Sequence, residues 1–231
     1  MSVVNKNVLC VAAHPDDEVL GAGGTLARHS TARDTVHVCM LADGVLSRDE
    51  AEMKQAKARR EQAAAAVEAL GATHSTHAFP DNQFDSLPLL EIVKTIEAEI
   101  AEHTPEIIYT HHPGDLNIDH QLTARATMTA ARPLGGSPVR RILGYEVLSS
   151  TEWGMPTDGD TFTPTVFVDI RAQLETKLAA MRAYTTELRE PPHPRCEQAI
   201  RALAQLRGST AGVPAAESFV LLREIDRDAQ R

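Results

Sequence analysis

The chain is poor in cysteine, aromatics and basic residues, and each shortage removes a class of protein. Its three cysteines in 231 residues, Cys10, Cys39 and Cys196, stand far apart and outside any Cys-x-x-Cys spacing. That excludes a disulfide framework and a cysteine zinc site. Cys10 and Cys39 fall inside apolar runs and read as buried, reduced thiols. Lys and Arg number 23 against 32 Asp and Glu, a formal charge of -9 with ten His uncounted. Phosphate-rich partners need a concentrated basic surface, and the longest basic run is only Arg59-Arg60 with Lys54 and Lys57 nearby. No nucleic acid and no anionic membrane surface is therefore expected as a partner. No stretch approaches the ~18 apolar residues of a membrane span, so no membrane insertion is expected. The N-terminus MSVVNKNVLCVAAH lacks the charged region and cleavage site of a secretory leader. The expected location is cytoplasmic.

What the chain does have is alternation. Residues 7–13 (NVLCVAA) form a nearly continuous apolar run, as expected of a strand buried on both faces. A helical pattern ending near His29 follows, then a strand over 35–41. Residues 51–70 are rich in Ala, Lys, Glu and Gln without Pro or Gly, a strong helix, with Gly71 as its C-cap. A strand over 74–79, a helix over 89–102, a strand over 106–110 and a helix over 121–131 come next. The repeating β-α-β pattern implies a Rossmann-like α/β fold, a mostly parallel sheet with helices on both faces. After Pro133 the pattern loosens. An apolar run over 142–148, a strand over 165–170, helices over 173–184 and 197–206 and a strand over 218–222 extend the same sheet. One domain spanning residues 1–231 is expected, since no linker or repeat divides the chain.

The chemistry concentrates in two segments. Ala13-His14-Pro15-Asp16-Asp17-Glu18 follows the first strand directly, at the sheet edge where open parallel sheets collect ligands. An imidazole and adjacent acids suit a divalent metal, one acid ligating while the other keeps an oxygen for proton transfer. Asp16 and Asp17 could equally cap the following helix. The second segment, His111-His112-Pro113-Gly114-Asp115-Leu116-Asn117-Ile118-Asp119-His120, follows the strand over 106–110. A third ligand for His14 and Asp17 would come from here, and His120 is the candidate. Two imidazoles and one carboxylate leave positions open for water, the catalytic rather than the structural arrangement. The same donors also suit iron(II).

His14-Pro15-Asp16-Asp17-Glu18 with Gly21-Ala22-Gly23-Gly24-Thr25, and the later Asp119-His120, resemble the signature of the LmbE-like (PIG-L) zinc N-deacetylases of amino sugars. Softer matches are Arg59 ahead of Leu70-Gly71, Pro80-Asp81 after the third strand, and Ala216-Glu217-Ser218-Phe219. The resemblance implies the LmbE-like deacetylase fold, Zn2+ on His14, Asp17 and His120, and Asp16 as general base toward a metal-activated water. It implies further that Arg59 and Asp81 bind the substrate, an N-acetylated sugar of the N-acetylglucosamine type, and that homo-oligomers occur. One position departs from the pattern. Many members read His-Pro-Asp-His where this chain reads Asn117-Ile118-Asp119-His120. Either Asn117, backed by Asp119, keeps only an electrostatic role, or His111, His112 or His193 supplies the imidazole. His112 and His193 are thus candidates for contact with the substrate.

Rival readings are an amidase on a related sugar-thiol conjugate and a catalytically impaired sugar-binding relative. Dinucleotide binding fails on spacing, because Gly21 comes eight positions after Ala13 where the fingerprint places its first glycine directly after the strand. Gly21, Gly23 and Gly24 are expected instead to let a helix pack closely on the sheet. Substrate choice is expected from the loops over 82–85, 153–162 and 191–195, with Trp153 exposed.

Overall fold

A computed structural model describes residues 5–42, 50–155 and 161–226, with the backbone alone for 50–56. Residues 1–4 of the apolar N-terminus, the side chain of Lys54 and residues 156–160 of the second expected specificity loop lie outside the described residues. Seven strands form one sheet: β1 (Asn7–Ala12), β2 (Thr35–Ala42), β3 (Thr73–Phe79), β4 (Ile107–His111), β5 (Arg141–Tyr145), β6 (Val166–Asp169) and β7 (Ala216–Glu224). Their spatial order is β3-β2-β1-β4-β5-β7-β6. All neighbours pair parallel except β7, which runs antiparallel to both β5 and β6. The helices are α1 (Asp17–Thr31), α2 (Glu50–Ala69), α3 (Leu89–His103), α4 (Ile118–Ala130), α5 (Leu174–Ala183) and α6 (Glu197–Ala211).

The two-residue period of a strand divides the core into two layers. On β1, Val8 and Cys10 join the cluster beneath α1, α2, α5 and α6, while Leu9 and Val11 join the cluster beneath α3 and α4. Both faces of the central strands are covered, which is why their sequences are continuously apolar rather than alternating. The cysteines are free and buried as expected.

Two glycines of α1 do pack it against its neighbours. A Cβ on Gly21 would stand 2.2 Å from the Tyr145 ring of β5, and one on Gly24 would stand 2.8 Å from Ile170. Close approach of α1 to the sheet fixes the loop that leads into it, residues 13–16. The strand order supplies the rest. From β1 the chain winds outward through β2 and β3, then returns to β4 on the other side of β1, so the loops after β1 and β4 diverge and leave a crevice at the sheet's carboxyl edge.

Candidate metal centre and active site

His14 is the second residue beyond β1, and His120 sits in the first turn of α4, beyond the loop that leaves β4. The crossover brings them together with Asp17 of α1. His14 Nδ1 lies 3.3 Å from Asp17 Oδ2, His120 Nε2 lies 3.4 Å from Asp17 Oδ1, and the two imidazole nitrogens lie 3.3 Å apart. A tetrahedral ion with ligands at about 2.0–2.1 Å needs ligand atoms about 3.3–3.4 Å from one another; the two imidazole nitrogens stand at that separation, and Asp17 turns one oxygen toward each, which suits a zinc-sized ion.

The tautomers fit it too. The other nitrogen of His14, Nε2, faces Asp119 Oδ2 at 2.9 Å and Asp81 Oδ1 at 3.2 Å. The other nitrogen of His120, Nδ1, faces Asp115 Oδ1 at 3.1 Å. Each ring proton is held by a carboxylate on the outside, which leaves Nδ1 of His14 and Nε2 of His120 as lone pairs converging on Asp17. Asp115 is itself fixed by hydroxyl donation from Ser150 and Thr151. Burial works against its charge, yet the bonds to His120, Ser150 and Thr151 win and draw its carboxyl down to about 2. In the metal-free chain burial likewise opposes protonation of His14, but Asp119 and Asp17 outweigh it and raise the ring to about 10. The same contest raises His120 to about 9, with Asp17 and Asp115 as the holders. A divalent cation would take the place of these protons.

His111, the last residue of β4, is the neutral member of the group. It accepts the Ala13 backbone N–H at Nε2 over 2.9 Å and stacks on His120 with ring centroids 3.9 Å apart. Burial first, then the neighbouring His120, depresses it to about 4. It is a wall of the site rather than an acid.

Asp16 occupies the N-cap position of α1, but its side chain makes no capping bond, and its φ of 108° is a left-handed conformation that costs a non-glycine residue energy. The surroundings enforce it. Its own N–H donates to Glu18 Oε2 at 3.1 Å, and Glu18 Oε1 accepts from the Tyr184 hydroxyl at 2.6 Å. Burial raises Glu18 to about 7. The carboxylate of Asp16 receives Arg195 Nη1 at 2.9 Å. Burial lifts the Asp16 carboxyl well above its ordinary value, Arg195 pulls it back, and Asp17, Glu187 and Glu18 add to the rise.

A cavity of about 200 Å³ opens over this group and is lined by His14, Asp16, Arg59, Asp81, Asn117, His120, Tyr184 and Arg195 among others. Arg59 from α2 and Asp81 from the loop after β3 therefore reach the same space as the metal candidates. Asn117 reaches it as the N-cap of α4, its Oδ1 accepting Asp119 N–H at 2.8 Å and its Nδ2 donating to Asn82 Oδ1 at 3.2 Å. Asp119 is fully buried and stands behind His14, its second oxygen accepting the Phe84 N–H at 3.0 Å. It touches the metal candidate, not the cavity.

Two expected residues are not on the cavity. His112 Nδ1 accepts the Gly114 N–H at 3.1 Å and its ring meets the edge of Phe162, while His193 Nδ1 accepts the Arg195 N–H at 3.0 Å. Each spends a ring nitrogen on the backbone two residues on, and each thereby shapes a loop. In the 191–195 loop it is Arg195, not His193, that enters the cavity. Arg195, Tyr184 and Glu187 were not legible as site residues, and Glu18, though part of the signature, had no role read for it. Arg195 is 179 positions from Asp16, and its one sequence signal is a cation closing a proline-rich loop.

The model of the PIG-L family, described as GlcNAc-PI de-N-acetylase, matches residues 9–131, more than half of the chain. The chain belongs to the PIG-L family. The uncharacterized deacetylase YaiS of Escherichia coli (strain K12) is 30% identical over 78% of this chain and 90% of its own length. The 4-oxalmesaconate hydratase of Pseudomonas putida is 29% identical over 79% of this chain and 74% of its own. The diacetylchitobiose deacetylase of Thermococcus kodakarensis is 27% identical over 93% and 82%. Among solved structures, the N,N'-diacetylchitobiose deacetylase of Pyrococcus horikoshii superposes with a TM-score of 0.77 at 23% identity, covering 94% of this chain and 84% of that one. That agreement extends the PIG-L fold across β5, β6 and β7, beyond the span of the family match. No helix among the described residues is long and apolar enough to cross a membrane.

Proposed function

We propose that this PIG-L protein is a zinc-dependent hydrolase that removes the N-acetyl group of an amino sugar. The observation that carries the reading is the convergence of two carboxylate-backed imidazole lone pairs on Asp17, with the buried Asp16 beside them at the floor of an open cavity. Zinc held by His14, Asp17 and His120 would supply a Lewis acid that polarises the acetamide carbonyl and acidifies water.

The chain's own groups do the rest. Asp16 takes the proton of the attacking water and returns one to the departing amine. A base whose pKa is lifted above the ordinary carboxylate value by burial suits both halves of that exchange. Arg195 holds the carboxylate in place from the far side, so that its charge survives among three neighbouring acids. The Asn117 amide, already oriented by Asn82 and the α4 backbone, offers N–H polarity but no transferable proton. Arg59 and Asp81, both on the cavity, are a fork and an acceptor for sugar hydroxyls. Asp119 and Asp115 keep the two imidazoles in their ligating tautomers.

The testing experiment is a screen of N-acetylated sugars, free, nucleotide-linked and as thiol glycosides, for amine release by the zinc-loaded chain. Release from at least one class is expected. No release from any of them overturns the reading.

A second reading rests on three observations: the hydratase relative, Asn117 in place of an imidazole, and two guanidinium groups, Arg59 and Arg195, on the cavity. Those features suit addition of water across the double bond of an unsaturated polycarboxylate. Loss of ultraviolet absorbance on incubation with such an acid, with no amine released from any sugar, would favour it.

A further inference from the structure

A second cluster of histidine and acid lies away from the cavity, under the C-terminal end of α3. Glu99 of α3 is 6% exposed and is approached by three imidazoles. His77 Nε2 of β3 lies 2.8 Å from its Oε1, while His37 Nε2 of β2 and His103 Nε2 of α3 lie 3.3 and 3.4 Å from its Oε2. That Oε2 has no hydrogen-bond partner.

Proton accounting sharpens the anomaly. Thr73 Oγ1 donates its hydrogen to the Val36 carbonyl, so the His37 Nδ1 that faces it at 2.9 Å carries the ring proton. The lone pair of His37 is then at Nε2. It faces Ser75 Oγ at 3.1 Å, whose hydrogen goes to Glu99 Oε1, and the orphaned Oε2. Two acceptor atoms, His37 Nε2 and Glu99 Oε2, then face each other at 3.3 Å with no hydrogen between them. A buried pair of this kind is stabilised by a positive charge between its atoms, an added proton or a metal cation.

We infer that His37, Glu99 and His103 form a second site for a zinc-class divalent cation, separate from the candidate active site. Their donor atoms lie within 4.8 Å of one another. Two imidazoles and a carboxylate are the borderline donors such ions prefer. In the chain without metal the His103 ring stacks on His37 at 3.7 Å and 19°, which sets the two lone pairs side by side. Loading turns the His103 ring out of that stack, and its side chain, 24% exposed, has the solvent contact to do so. The bound ion ties β2 and the end of α3 across the edge strand β3. That strand runs into Pro80 and Asp81 at the cavity.

The test uses the full chain, stripped with a chelator and reloaded with Zn2+, with bound metal counted by mass spectrometry. Two ions per wild-type chain are expected, and one in His120→Ala, which loses the candidate active-site ion only. Glu99→Gln should likewise hold one, and the double variant none. His103→Ala, at a partly exposed position that folding tolerates, should weaken the second ion at least tenfold, and Zn2+ should raise the Tm of His120→Ala but not of the double variant. One ion in the wild type with none in His120→Ala overturns the second site and leaves the first intact. The opposite pattern, one ion in the wild type that His120→Ala keeps and Glu99→Gln loses, overturns the active-site reading instead.

Discussion

His14 and His120 each keep a carboxylate of their own on the ring nitrogen that faces away from Asp17, Asp119 for the first and Asp115 for the second. His37, His77 and His103 instead share Glu99 alone. Both groups hang on the same sheet and draw on the same residue types. The difference lies in how many outer acceptors there are per imidazole. A private carboxylate fixes one tautomer and one ring orientation, so the inner lone pairs arrive already aimed; a shared one leaves the rings free to stack. Only the first group also opens to a cavity with an additional acid, Asp16, that is free of ligation. The comparison teaches that ligand identity is shared by the two clusters while preorganisation and access to a reactant belong to one.

The sharpest way to break that contrast is at Asp16. Asp16→Asn should lower kcat by about 10²–10⁴-fold, the usual worth of a general base, with the active-site ion retained by mass spectrometry. Wild-type turnover would remove Asp16 from its role.

The outer carboxylates come next. Asp119→Asn and Asp115→Asn should each weaken the active-site ion by about 10–100-fold in chelator competition, while Glu99→Gln leaves that affinity and kcat unchanged. Equal losses from all three would mean that the two clusters are not wired differently.

Arg195 sharpens the electrostatic half of the comparison. Arg195 favours the ionised form of Asp16, so removing it raises the Asp16 pKa further, and the base is competent only when ionised. The acid limb of kcat/KM should move to higher pH in Arg195→Ala, lowering activity roughly tenfold on that limb, with KM little changed and Arg195→Lys partly restored. A pH profile that stays put would reduce Arg195 to a loop anchor.

The smallest effect concerns stability in acid. Burial opposes ionisation of Glu99, but His37, His77 and Ser75 override it and hold its carboxyl well below the ordinary 4.5. A depressed folded pKa contributes stability that is present above the unfolded value and lost as pH falls below it. The Tm of the metal-free chain should therefore drop below pH 4.5, and Glu99→Gln should flatten that drop by roughly 2–4 °C. An unchanged acid limb would show that Glu99 carries no net ionic stabilisation.

Much of the fold was legible because the central strands are buried on both faces, and burial writes itself as unbroken apolar runs such as 7–13 and 35–41. The β-α-β alternation then left one economical architecture. The antiparallel insertion of β7 between β5 and β6 was not legible, since pairing direction leaves no mark on a strand as short and apolar as 218–222. Within the site, His14, Asp16 and Asp17 could be read because they sit contiguously at a strand end where folding alone has no use for them. His112 and His193 could not be read as loop residues, because a histidine that accepts a local backbone N–H has the same spelling as one that faces a substrate.

By itself the sequence determined the α/β class, the two chemical segments and the family, because each is written in contiguous residues whose period and composition respond to local physics. Only the tertiary structure decided that Asp119 and Asp115 stand behind His14 and His120, that Arg195 rather than His193 reaches Asp16, and that β2, β3 and α3 gather imidazoles around Glu99. Apart from the local Asp115–His120 and Glu99–His103 pairs, those are contacts between distant segments, 105 positions apart for His14 and Asp119 and 179 for Asp16 and Arg195. They exist because the chain turns back at β4 and packs α1 against Tyr145 without an intervening Cβ, and no local pattern encodes which distant side chain arrives.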